Sequence, residues 1–411
     1  MEYTFHSMSR FIALRYRDFR LLWIGSFISW TGSEMSTIAL TWMLYQMTGS
    51  ALALGTLGLM RAIPMIVFSL IGGGIADRFD RKGIILSAQI ILSLLSSILL
   101  VAALSGALRP WMIYLTVFIE YTVSAFGRPA RQSLLPHLVE KQHFGHAVQL
   151  SSTMWQSTVL LGPALGGLLM SFVGPLPILF IDLLSFIPFI ICIVMMRTPP
   201  PPVQVHDQSG IQSLISGMRF VLGKRLIFGT MILDFFVSFF AMAKSLFPLY
   251  ADQILHVGAT GLGFLHSATA AGAILAGIVV NPAWYEHRQG KVLIWSVGCV
   301  GVATMLFAYT STLWVSCATL ALLGAADFVS MNIRMLVRQI NTPDHLMGRV
   351  SGIHVIFSGG GPTLGEMEAG LLATLLGVQH SVFAGGLLAV LSALVIARLV
   401  PEIGRYRLGK A

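Results

Sequence analysis

The sequence predicts an all-α integral membrane protein, with twelve transmembrane helices in two pseudo-symmetric six-helix bundles. Three observations predict it. The first is composition: 55% of the 411 residues are hydrophobic and only 10% are charged, against roughly 25% charged in an average soluble domain. So little polar surface cannot clothe a soluble body of this size. The second is a recurrence of apolar runs, each about 20 residues or longer, enough to cross a roughly 30 Å hydrocarbon core as helix. The third is the placement of positive charge. Basic residues outnumber acidic ones 26 to 17, which in a soluble protein would point to nucleic acid. Here all but three of the basic residues (Arg61, Arg109, Lys244) fall on one side of the alternating turns. Positive-inside bias then puts both termini in the cytoplasm, and an odd number of spans would break the alternation.

The first half, residues 1–196, holds expected spans at 20–46, 51–76, 83–105, 111–133, 145–170 and 174–196. Their length and their lack of two-residue alternation favour helix over barrel strand. Met1 to Arg20 is polar and basic and reads as mature chain rather than a cleavable signal peptide. In the first span Glu34 sits among Gly32, Ser33, Ser36 and Thr37, a polar stripe that suggests a cavity wall. Arg61 lies in the second span and is a possible partner for Glu34. Glu120 in the fourth can pair with Arg61 or Arg128. The fifth contains Gly162-Pro163-Ala164-Leu165-Gly166-Gly167, which kinks a helix and lets a neighbour approach. Asp182 lies one or two turns into the sixth span, where a cap or lipid-boundary role is as open as a functional one.

The polar segment 197–225 is expected as a cytoplasmic linker. Its run Pro199-Pro200-Pro201-Pro202 favours extended backbone, and the alternation from Ile211 to Leu222 suggests a short interfacial helix. The second half, 226–411, holds expected spans at 226–250, 259–283, 291–310, 312–336, 345–370 and 378–400. It contains Asp234, Lys244, Asp327, Glu366 and Glu368. Ionisable residues inside a membrane are costly and usually face a cavity. Lys244 can snorkel to an interface or attract an anionic substrate. The halves echo one another: Gly361-Pro362-Thr363-Leu364-Gly365 repeats the fifth-span pattern in the eleventh. Two such halves are a transporter pattern.

Between the second and third spans runs Gly72-Gly73-Gly74-Ile75-Ala76-Asp77-Arg78-Phe79-Asp80-Arg81-Lys82. Here the sequence resembles the major facilitator superfamily, whose cytoplasmic signature at this junction is matched by Gly73, Asp77, Arg78, Arg81 and Lys82. The resemblance implies the major facilitator fold and a conformational gate at those residues, in which Asp77 accepts from basic groups near a helix N-terminus. A worn copy, Glu286-His287-Arg288-Gln289-Gly290-Lys291, follows the eighth span. Trp284 stands opposite Asp77 there, so any gate contact in the second half is weaker or different. Gly162, Pro163, Gly166 and Gly167 resemble the motif of exporting, antiporter-type members; the alternative is a packing kink without directional meaning. Arg17 to Trp23, Tyr45 to Ser50 and Thr342 to Val350 resemble the branch that contains macrolide efflux proteins and siderophore exporters. The likeness runs from about residue 15 to 400.

The candidate proton or substrate ligands are Glu34, Arg61, Glu120, Asp327 and Glu366. Trp30 and Trp155 are candidate walls of a pocket for aromatic compounds. The eleven His show no metal-ligand spacing, and Cys192, Cys299 and Cys317 read as small packing residues, so no metal and no cofactor are expected. There is no phosphate-binding GxxxxGK[ST] loop and no hydrolase triad, which argues against ATP-driven export by this chain and against an enzyme. The expected function is secondary export of small organic molecules, a siderophore or a hydrophobic drug, in exchange for protons. The alternative is an importer of a sugar or organic acid. The expected partners are substrate, protons and membrane lipid, without nucleic acid, for a chain working as a monomer in the cell inner membrane.

Overall fold

The computed structural model describes residues 11–78, 80–197, 210–241, 244–280 and 288–407; the side chains of 69–78, 210–214 and 344–345 also fall outside the described set. Long helices follow one another: α1 (Arg17–Thr48), α2 (Ala51–Arg78), α3 (Arg81–Leu104), α4 (Pro110–Leu134), α5 (Phe144–Val173) and α6 (Pro175–Met195). A shorter α7 (Gly210–Gly223) precedes α8 (Arg225–Ala241), α9 (Gly258–Val279), α10 (Gln289–Ala308) and α11 (Leu313–Asn341). Then come α12 (Asp344–Leu376), α13 (Val378–Leu399) and the terminal turn α14 (Pro401–Arg405). Among the described residues, nine helical stretches are long and apolar enough to cross a membrane. Large apolar side chains also point outward from them, Phe172, Ile278 and Trp295 each more than three-quarters exposed. An all-α, multi-pass membrane fold accounts for both facts.

Local chemistry sets where the helices start and stop. Asp80 caps α3, its carboxylate accepting from the Lys82 and Gly83 backbone N–H groups at 3.1 and 3.0 Å. Pro110 opens α4 at a position whose N–H needs no partner. Gly174 (φ +78°) turns the chain from α5 into α6, and Gly377 (φ +87°) turns it from α12 into α13. Only a residue without Cβ adopts such angles cheaply, so the two halves share the same reversal. Two departures from expectation bear on the charged residues. The run expected as one span at 226–250 is α8 followed by a 3-10 turn (Lys244–Leu246), a short helix (Phe247–Leu249) and a π turn (Tyr250–Ile254). α11 continues past the expected 336 to Asn341, because its next breaker is Pro343. Arg338, which the expected span leaves outside, therefore lies inside the helix together with Arg334.

Two compact units are formed. One comprises Met1–Met43 and Val67–Gly210; the other comprises Leu44–Ile66 and Ile211–Ala411. In the first, α3 packs on α4 and α6. In the second, α8 packs on α12 and α13, and α10 on α11 and α13. The linker helix α7 docks there too: Val221 is buried with Ile227, Met231, Val350 and Ile353. The proline run 199–202 lies outside the described residues. The Gly-Pro repeats do matching work. A Cβ on Gly162 would strike the Glu34 side chain and one on Gly166 the Met35 backbone, so α5 packs against α1 through them. In the second unit, a Cβ on Gly361 or Gly365 would strike the Phe235 or Phe239 backbone, so α12 packs against α8 in the same way.

Candidate functional site

Polar groups within the first unit gather in two places. On one side of α1, Ser33, Ser36 and Thr37 line a cavity of about 450 Å³ with Ser96, Glu120 and Asp182. Asp182 is 5% exposed. Its two oxygens accept from the Ser33 and Ser96 hydroxyls at 3.1 and 3.0 Å. It is thus an interior residue, neither a cap nor a lipid-boundary acid. The polar stripe around Glu34 does form a cavity wall, but Glu34 itself stands on another face of α1, in the space that Gly162 leaves open.

The second place lies between α1, α4 and α5. The Arg131 guanidinium sits 4.0 Å over the Trp30 ring and that of Arg128 sits 4.8 Å over Trp155. The two indoles meet edge to face at 4.9 Å. Among the described residues no carboxylate lies within the 4.0 Å ion-pair distance of either arginine. Trp30 and Trp155, separate candidates in sequence, are brought into one cluster.

The second unit pairs its charges. Arg61 Nη1 donates to both oxygens of Glu366, at 3.0 and 2.9 Å, with both side chains mostly buried. α2 and α12 come close enough because Gly55 and Gly58 leave no Cβ between them and the Thr363–Gly370 stretch. Arg61 thus meets a carboxylate from the other half of the sequence. A second network joins three helices: Arg334 Nη2 (α11) lies 3.1 Å from Asp234 (α8) and 3.5 Å from Asp327, two turns earlier on its own helix. His354 of α12 stands 3.8 Å from the other Asp234 oxygen. Arg334 Nη1 is shielded from solvent and has no hydrogen-bond partner. Sequence reasoning misses Arg334 and His354; the signal is the absence of any helix breaker before Thr342-Pro343. Glu368 is partly buried. Lys244 is exposed beside an apolar cavity of about 340 Å³ that Phe247, Thr304 and Phe307 help to line.

Of the expected gate, Arg81 donates to the Ser133 carbonyl at 2.9 Å and Lys82 to the Met196 carbonyl at 2.6 Å. Both serve α-helix C-termini, where positive charge is favoured. The side chains of Gly73, Asp77 and Arg78 lie outside the described residues, as does Trp284. No group of three His, Cys, Asp or Glu side chains suited to a metal occurs among the described residues, and the three cysteines are free thiols.

Residues 8–405 match the family described as transmembrane secretion effector. Macrolide efflux protein A of Streptococcus pyogenes is 23% identical over 395 residues, covering 95% of this chain and 97% of that one. Enterobactin exporter EntS of Escherichia coli O1:K1 / APEC is 25% identical over 391 residues, covering 95% and 93%. Solved structures share the fold. A bacterial homologue of the human lysosomal transporter Spinster, inward-facing and unoccupied, matches with a TM-score of 0.74 at 15% identity, over 96% of this chain and 99% of that one. A bacterial homologue of the iron transporter ferroportin, in an inward-facing state, matches at 0.68 and 16% identity, over 93% and 98%. The chain therefore belongs to the transmembrane secretion effector family of the major facilitator superfamily, and is a multi-pass secondary transporter of small molecules rather than an enzyme.

Proposed function

We propose that this transporter exports a small organic molecule from the cytoplasm by alternating access, in exchange for protons. The observation that carries the reading is the set of ionisable side chains held inside apolar helices: Asp182 among hydroxyls, Arg61 on Glu366, and Arg334 between Asp234 and Asp327. Such groups are costly in a membrane and mark ion or substrate paths. A proton delivered to Glu366 removes the charge that holds Arg61. Protonation can therefore be exchanged for a change in helix contact, which is what coupling requires. The outward direction, and a siderophore or a hydrophobic drug as cargo, are supported by the relatives named for enterobactin export and macrolide efflux.

In this reading twelve spans form two bundles, residues 1–196 and 226–411, joined by the linker 197–225, in the cell inner membrane with both termini cytoplasmic. Beyond the nine apolar stretches, α1, α4 and α12 are long enough to span, with 32, 25 and 33 residues. They are more polar because they carry Glu34, Glu120, Glu366 and Glu368, as path-lining helices should. Gly73, Asp77, Arg78, Arg81 and Lys82 form the conformational gate.

Transport into inverted membrane vesicles under an imposed pH gradient tests the proposal, with enterobactin and erythromycin as the two probes. Accumulation of one of them, lost on adding a protonophore, is expected. Accumulation that persists after the gradient is collapsed would show that protons are not the coupling ion. Asp77→Asn should abolish transport while the protein stays in the membrane, and normal rates would sink the gate assignment.

A further inference from the structure

Arg128 and Arg131 lie one turn apart near the end of α4, and each rests on a tryptophan from a different helix. Arg128 is exposed; Arg131 is partly buried. Arg131 Nη1 is shielded from solvent and has no hydrogen-bond partner, and Nη2 reaches only the Met154 Sδ, at 4.0 Å. Two other arginines among the described residues, Arg61 and Arg334, each hold a carboxylate instead. Withdrawing a guanidinium from water without an anion is unfavourable. Contact with an indole face returns part of that loss but satisfies none of the five N–H donors. A planar oxyanion satisfies two of them at once, and an aromatic ring attached to it would find the Trp30 and Trp155 surfaces alongside.

We infer that Arg128, Arg131, Trp30 and Trp155 form a binding site for an organic anion, specifically an aromatic ring bearing a carboxylate or similar planar acid. Arg128, at the exposed end, attracts the anion, and Arg131 receives it by exchanging part of its contact with Trp30 for a two-point hydrogen bond. The site discriminates by charge: a basic amine meets two like charges, and among the described residues no carboxylate is within ion-pair distance of either arginine. The statement that this ligand is cargo rests on the export reading; the binding itself does not. The inference favours acidic over cationic compounds among the cargoes that reading allows.

The test is calorimetric titration of the purified full-length chain in detergent with sodium salicylate and with salicylamide, its neutral analogue. Salicylate should bind saturably, in the weak range that suits so small a fragment, and salicylamide about tenfold or more weakly. Arg131→Gln should weaken salicylate about tenfold, and Arg131→Lys should recover part of the loss, keeping charge without the planar fork. Equal affinity for the two compounds, no salicylate binding, or unchanged affinity in Arg131→Gln would each overturn the inference. The comparison of the two compounds needs only the natural chain, so it decides the matter even where a variant is unstable. Salicylate binding without export of any compound from vesicles would defeat the export reading and leave the site standing. Export without charge-selective binding would do the reverse.

Discussion

The two units hold their buried charges in opposite ways. In the second, opposite charges meet directly: Arg61 grips Glu366, and Arg334 lies between Asp234 and Asp327. In the first, Asp182 and the two arginines of α4 make contacts of another kind. Asp182 is surrounded by serine hydroxyls, while Arg128 and Arg131 lie on tryptophans. A carboxylate and a guanidinium satisfy one another's charge; hydroxyls and indole rings soften a charge without cancelling it. The paired unit is thus suited to hold contacts that break when a proton or ligand arrives. The Arg128–Arg131 cluster of the first unit is suited to receive a charged ligand. The glycine contacts that support these arrangements are nearly the same in both halves, so the difference comes from a few polar side chains placed on a common scaffold.

Arg334 offers the most severe challenge to this contrast. Arg334→Leu leaves Asp234 buried without its cation, and the melting transition should fall by the equivalent of about 3–5 kcal/mol. Removing Asp234 as well should recover part of the loss, and a single variant as stable as the natural chain would show that the network is not an ion pair. Next comes Glu366→Gln, expected to cost about 1.5–3 kcal/mol and to abolish gradient-driven transport. Retention of both would mean that Arg61 has another sufficient partner. The glycines probe the two units at a smaller scale. Gly162→Ala should cost about 1–3 kcal/mol, because the Glu34 Cβ it meets is fixed to the α1 backbone and the helices must shift. Gly365→Ala should cost more, because it meets several backbone atoms of Phe239 rather than one Cβ; thermal melts that reverse this order would contradict the packing. The mildest change is Asp182→Asn, at about 1 kcal/mol, since an amide keeps one acceptor for the serine hydroxyls. A loss as large as that of Arg334→Leu would show that the first unit depends on the negative charge of Asp182, as for a bound cation.

Much of the plan is legible along the chain. The Gly-Pro repeats at 162 and 361 are visible as a pattern and take equivalent places in the two halves. Arg61 and Glu366 both stand out, yet sequence reasoning does not bring them together. Nothing along the chain measures the distance between residues 305 positions apart. Asp182 is underrated for a related reason: depth along one helix says how far a residue lies from an end, not which neighbours cover it. Arg338 is left outside when the span is closed at 336 rather than carried on to the proline that stops the helix.

What the amino-acid sequence settles unaided is the solvent. With 55% hydrophobic residues and 10% charged, long apolar helices in lipid are the arrangement that satisfies every backbone N–H and C=O, so length and composition suffice to locate them. The family is settled too, through short motifs whose spacing survives along a helix or turn. Which charges meet is a matter of tertiary packing alone. An ion pair needs its atoms within 4.0 Å, and that condition depends on how α2 meets α12 and how α8, α11 and α12 converge. Long-range packing sets such distances, and helical periodicity does not encode them.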